Sequence, residues 1–240
     1  VASTTIGASG LTFEHISANG GANGIVLNST GASGGLTITG TGSAGSGGTI
    51  QNIAGADLTT NNCGAAGAAA GVGVYLNSTK SPSLSWMNFT GTFGNFGILG
   101  YTVNGFTLDH ASMTGTFGDN VNVDDDTVHF CGLTGSATIS NSTISNGAES
   151  NLRVVNASGT LNRITLQSDT FGLNQTNGGG GTLIEADGGT TNVTVLDSTF
   201  QGSRGTPFDA LSQTGATMDL VFGSPGHGNT IHNTHSNIVP

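Results

Sequence analysis

Charge is scarce in this chain. Charged side chains make up 8% of its 240 residues, where an ordinary soluble domain carries about 25%. Only Lys80, Arg153, Arg163 and Arg204 are basic, and they form no run. A nucleic-acid partner needs a basic stripe to displace counterions, so that class is excluded. An anionic membrane surface is equally unattractive. The net charge of -10 would also repel a polyanion such as pectate unless a divalent cation intervened. No apolar run approaches the roughly 18 residues that span a bilayer, so membrane insertion is not expected. Cysteine is nearly missing too. Cys63 and Cys131 are too few for the disulfide framework of a small secreted domain. No CxxC or Cys/His spacing suggests zinc. The plain expectation is two buried or isolated thiols, with a structural bridge as the alternative. The chain starts at Val1 with neither an initiator Met nor a signal peptide, and reads as a mature or excised piece.

Helix signals are also lacking. Glycine accounts for 42 residues, and each costs about 1 kcal/mol relative to Ala inside a helix. What is present instead is strand signal: short alternating runs of Val, Ile, Thr and Phe bounded by Gly, Asn and Ser. One class reads apolar, any residue, apolar, then a further apolar five positions on. It occurs as Phe106, Leu108, Met113; as Ala137, Ile139, Ile144; as Ile164, Leu166, Phe171; and as Val193, Val195, Phe200. Less regular versions begin at Leu11, Leu36, Leu84 and Leu220. Between them lies a second class, which includes Ile25-Val26-Leu27, Val74-Tyr75-Leu76, Val128-His129-Phe130 and Leu183-Ile184.

A period in the twenties with two or three short strands marks a β-solenoid. One repeat cannot bury its own apolar side chains, whereas stacked repeats bury a continuous column. The chain is therefore expected to be all-β, a right-handed parallel β-helix of about eight coils forming one domain over residues 1–240. At about 4.8 Å per coil it would be roughly 35–40 Å long, and the handedness follows from the preference of parallel crossovers. Gly and Asn suit corners with positive φ, and Asn side chains could form ladders along the axis. A β-propeller is the main competitor, but it needs longer, more even repeats. The Gly40–Gly73 stretch breaks the rhythm and is expected to be a coil with a long excursion on one side.

Ser136 to Gly172, SATISNSTISNGAESNLRVVNASGTLNRITLQSDTFG, resembles the extracellular β-strand-repeat proteins of environmental bacteria, as do GVGVYLNST and GTLIEADGGTTNVTVLDSTF. The resemblance covers roughly Leu11 to Val239. It implies a β-helix at the cell surface or outside the cell, and no particular activity.

Candidates for chemistry are few. Asp119, Asp124, Asp125 and Asp126 lie in GDNVNVDDDTVHF. Polygalacturonase-like enzymes use clustered Asp on a β-helix, and Gly226-His227-Gly228 resembles their Gly-His-Gly. Here, however, His227 stands 101 residues after Asp126, several coils away, and the family's Arg-x-Lys is missing. No catalytic residue is therefore assigned. The same acidic run is a Ca²⁺ candidate, set against a plain acidic turn; no other cofactor is expected. His232 and His235 could meet a metal or simply be exposed. Arg153 and Arg163 read as solvated residues beside a carboxylate such as Glu149 or Asp169. Seven N-x-S/T sequons start at Asn28, Asn77, Asn88, Asn141, Asn156, Asn174 and Asn192. Phe93, Phe96, Tyr101 and Phe106 form either a core stack or a sugar-stacking patch. Flat Thr arrays on solenoids can order water, and Leu36-Thr37-Ile38-Thr39 suggests one, but outward Thr positions do not recur regularly along the sequence. Strand-like sequence runs nearly to both termini with no capping element. The chain should then join further coils of a longer chain or stack end to end on copies of itself. The leading expectation is a non-enzymatic extracellular structural or adhesive surface protein, a filament subunit if copies stack head to tail, with glycans as candidate partners. The alternatives are a polysaccharide-acting enzyme and a glycan-binding module.

Overall fold

The computed structural model describes residues 1–58, 63, 70–119 and 125–236. Among them there is no α-helix, and every pairing between named strands is parallel. The chain is a parallel β-helix whose strands stack in three columns. The first column holds β1 (Leu11–Phe13), β4 (Leu36–Ile38), β7 (Ser83–Ser85), the second half of β9 (Ile98–Asp109), the second half of β12 (Val128–Ser140), β15 (Thr160–Gln167), β18 (Thr190–Leu196) and β21 (Thr217–Phe222). The second holds β2 (Ala18–Asn19), β5 (Gly48–Ile53), β8 (Met87–Phe93), β10 (Ser112–Met113) with β11 (Thr116–Phe117), β13 (Thr143–Ile144), β16 (Thr170–Phe171), β19 (Thr199–Gln201) and β22 (Thr230–His232). The third holds β3 (Asn23–Asn28), β6 (Val72–Lys80), the first halves of β9 and β12, β14 (Leu152–Asn156), β17 (Thr182–Ala186) and β20 (Phe208–Ser212). The columns make eight coils, as the repeat spacing predicts.

Alternation along each strand sends every second side chain inward, and register stacks like on like. In the first column Phe13, Ile38, Leu84, Leu108, Ile139, Leu166, Val195 and Phe222 pair in succession. The six inner members are fully buried, while Phe13 and Phe222 at the two ends are 45% and 39% exposed. In the second column Ile50, Phe89, Met113, Ile144, Phe171 and Phe200 do the same, with the Phe171 and Phe200 rings stacked at 4.9 Å. Burying each such side chain contributes roughly 1.5–3 kcal/mol. The starts Phe106, Ala137, Ile164, Val193 and Leu220 are register partners, as read. Leu84 is different: it pairs with Leu108, not Phe106, so it occupies the second inward position of its coil.

The corner after the first column needs positive φ. The residues there are mostly not glycine: Trp86, His110, Asn141, Ser168 and Asp197 all have φ between 51° and 59°. Trp86 and His110 stack face to face at 3.9 Å. Asn ladders are short, Asn77 donating to Asn28 and Asn52 to Asn19. The longer ladder uses other side chains to accept a backbone N–H from the preceding coil. Ala111 N–H donates to Ser142 Oγ, Ser142 N–H to Asp169 Oδ1, Asp169 N–H to Ser198 Oγ, and Ser198 N–H to Asn229 Oδ1.

The excursion is shorter than Gly40–Gly73. The sequence there is Gly-rich, yet β5 forms within it and pairs with β8, and among the described residues the strands resume with β6 at Val72. Outward residues of the third column make a second apolar cluster, Val72, Tyr75, Phe96, Leu99, Tyr101 and Cys131, and Leu58 and Cys63 of the excursion pack on it. Phe93, Phe96, Tyr101 and Phe106 are all buried. They are core residues, not a sugar-stacking patch.

Candidate functional site

The excursion and the third column meet at one place, and the acidic run lies there. Asp125 and Asp126 are fully buried, while Asp119 is exposed. They are adjacent, yet their carboxylates have different partners. Asp125 accepts the Asp119 N–H at 3.3 Å. Its carboxylate, that of Asp119 and that of Asp57 from the excursion lie within 4.8 Å of one another. Gly118, at φ 64°, leaves room for this, because a Cβ there would lie 2.2 Å from Asp125 Cβ. Three carboxylates on one point suit a hard cation such as Ca²⁺. Asp57 is a candidate ligand that the sequence reading missed, because it lies 62 and 68 residues from its companions. Asp124 lies outside the described residues. Beside Asp119 opens a polar cleft of about 300 Å³ lined by Thr116, Asp119, Ala148, Gln175, Thr176 and Asn177.

Asp126 turns the other way. One oxygen accepts the Ser150 N–H at 2.6 Å, and the other binds His129 Nδ1 at 2.7 Å. The His129 ring is 1% exposed and the Asp126 carboxylate 0%. His129 Nε2 lies 3.3 Å from Cys131 Sγ and 3.4 Å from Cys63 Sγ. Cys63 and Cys131 are joined by a disulfide, with Cα atoms 5.0 Å apart. The expectation of two separate thiols is thus corrected. The parallel coil brings an excursion residue over the outward face of β12, which a separation of 68 positions does not reveal. A local signal was available for half of this group: His129 and Cys131 alternate with inward Val128 and Phe130 and so share a face.

The remaining candidates disperse. His227 binds Asp197 at 2.8 Å, one coil below and far from the acidic run. His235 is buried with Nε2 3.3 Å from the Gln175 carbonyl, and no cluster of three ligand groups among the described residues includes it or His232. Arg163 pairs with Asp219 and donates to Thr194 Oγ1 and the Val193 carbonyl, not to Glu149 or Asp169. Arg153 acts electrostatically on Asp187. Asn156 and Asn174 are buried, and their amides are engaged in the coil, which removes two sequons as sites on the folded chain.

Asp169 has an unusual environment. Burial lifts its pKa from 3.8 to about 7, against the lowering effect of the Ser142 and Gln167 N–H donors, and the Asp109 charge adds to the rise.

The outward Thr positions are more regular in space than in sequence. Thr12, Thr37, Ser83, Thr107, Thr138, Thr165 and Thr194 are register partners, one per coil over seven coils, with Val221 in the eighth. A parallel file on the second column runs Thr49, Asn88, Ser112, Thr143, Thr170, Thr199 and Thr230. Unequal corner lengths hide both files in the linear sequence. No protein-family profile matches the chain, and neither a curated protein nor a solved structure is detectably similar to it.

Proposed function

We propose that the chain is a rigid, non-enzymatic segment of an extracellular structural or adhesive surface protein of the β-strand-repeat kind. Its two terminal faces stack on further coils, either of the same chain or of a copy. The observation that carries this reading is the first-column file, buried throughout except for Phe13 and Phe222 at its ends. Each terminal face offers strand edges and apolar side chains in the register that the next coil would need. Ca²⁺ at Asp57, Asp119 and Asp125 would tie the excursion to the coil, and the Thr files would supply the adhesive face. Electron microscopy over a concentration series, with light scattering, tests the stacking. Fibres with an axial repeat near 35–40 Å are expected from head-to-tail stacking at about 4.8 Å per coil. Dispersed rods at every concentration would rule out a filament of copies and leave a segment of a longer rod. Release of reducing ends from polysaccharides, lost in Asp125→Asn, would replace this reading with an enzymatic one.

The Thr files favour a second reading, in which the face orders water. Hydroxyl and methyl groups repeat along it at about 4.8 Å on a backbone held rigid by pairing on both sides. The purified protein should then slow ice recrystallisation, and Thr138→Tyr in the middle of the first file should abolish the effect while leaving the circular dichroism of the coil intact. Ice growth unaffected by the wild-type protein would dispose of this reading.

A further inference from the structure

The disulfide is not an isolated staple. A bridge between the excursion and β12 requires only the two cysteines. Here it lies against an imidazole whose other nitrogen is held by a buried carboxylate, itself fixed by the Ser150 N–H. Burying a carboxylate and an imidazole together costs free energy that a bridge alone does not call for. The arrangement has the form of a ligand set with its supporting shell. The Asp126 carboxylate lies on Nδ1, and Nε2, the nitrogen that a metal would take in the tautomer protonated at Nδ1, faces both sulfurs. This is how an outer carboxylate orients a metal-ligating histidine and raises its basicity. Phe96 stands edge to face against the ring at 5.7 Å and fixes its plane.

We propose that Cys63, Cys131 and His129 form a site for a borderline-soft divalent cation, Zn²⁺ above all, that exists in the dithiol state of the protein and is replaced by the disulfide in the oxidised state. The three ligand atoms already lie within 4.8 Å of one another. A tetrahedral ion with bonds of about 2.3 Å to sulfur and about 2.0 Å to nitrogen sets S···N at about 3.5 Å and S···S at about 3.8 Å. The observed S···N distances are 3.3 and 3.4 Å, so only the sulfurs have to part. Cys63 belongs to no strand, so a shift of its sulfur breaks no coil pairing. An external dithiol supplies the two electrons and two protons that open the S–S bond, and leaves as its own disulfide. The cation then displaces the two thiol protons as two metal–sulfur bonds form, with His129 Nε2 as third ligand and a fourth position left to solvent. In either state the excursion stays fastened over Tyr75, Leu99 and Tyr101. The carboxylate trio of Asp57, Asp119 and Asp125 is a separate set and selects a hard cation instead.

The test uses the whole chain, reduced with a phosphine, freed of reductant under anaerobic conditions and titrated with Co²⁺. The expected result is one Co²⁺ per chain, seen as a thiolate-to-metal charge-transfer band, displaced by Zn²⁺ and absent from the oxidised protein. Zn²⁺ should also slow alkylation of both cysteines. Asp126→Asn should weaken Co²⁺ binding 10–100-fold, the range for loss of an outer-shell partner, and His129→Gln should weaken it further. A reduced wild-type chain that develops no charge-transfer band, whether or not it keeps its β signal, overturns the proposal. Equal Co²⁺ affinity in the wild type and in a folded His129→Gln would overturn it too, because the site would then be a bare thiol pair.

Discussion

Asp169→Ser is expected to stabilise the protein by up to about 4 kcal/mol above pH 7 and to change it little below pH 4. The folded-state pKa of Asp169 is raised to about 7, so its contribution is intact below the unfolded value near 3.8 and is lost as pH rises. Between these values the unfolded chain gives up a proton that the folded chain keeps, and stability falls with pH. A displacement from 3.8 to about 7 corresponds to about 4 kcal/mol. Above pH 7 both states are ionised and the loss levels off. Serine is the appropriate replacement because the ladder already uses it. Ser142 and Ser198, at the equivalent corners of the coils on either side, each accept a backbone N–H and donate to the carbonyl two residues back. Denaturant midpoints of wild type and variant from pH 4 to pH 9 check this. A difference that does not change with pH would mean that Asp169 is ionised in the folded chain throughout.

Gly100→Leu should prevent normal stacking of the central coils. Gly100 pairs with Leu76 below and Phe130 above, at an inward position of the third column. A Cβ there would lie 2.4 Å from the Phe130 ring and 3.1 Å from Val103 Cγ2. Even Ala forces that ring to move, in a core where the neighbours are fully buried. Overpacking of this kind costs about 1–3 kcal/mol, and more for a branched side chain. The complementary change, Phe130→Ala, empties the space and should cost about 3–5 kcal/mol. The pair Gly100→Leu with Phe130→Ala restores much of the volume. It should therefore be more stable than the sum of the two single losses, which a double-mutant cycle by denaturant unfolding would measure. Simple additivity would show that the ring and the glycine do not share one space.

The repeat was legible because apolar alternation needs only local order. Leu108, Ile139, Leu166 and Val195 each have an apolar neighbour two residues before and five residues after, and those triplets became the inward files of the first and second columns. Leu84 was read as the start of a triplet because periodicity does not tell which of two inward positions an isolated leucine fills; pairing with Leu108 settled it. Corner chemistry was only half legible. Glycine marks many turns, but Trp86, His110 and Ser168 carry no mark of the left-handed backbone that stacking imposes on them. The acidic run was recognised as unusual, yet its division was not: Asp125 lies with Asp57 and Asp119, while Asp126 holds His129, because the partners stand on different parts of the chain.

By itself the sequence determined an all-β chain of about eight stacked repeats and a composition nearly without charge, because composition and alternation act residue by residue. Only the tertiary structure decided which side chains meet across coils: the disulfide and its histidine, the carboxylate trio and the Thr files. The physical reason is that each coil closes with corners of different length, so residues that pair between neighbouring coils stand anywhere from 24 to 49 positions apart in the chain. Hydrogen-bonded register between parallel strands, not distance along the chain, brings them together.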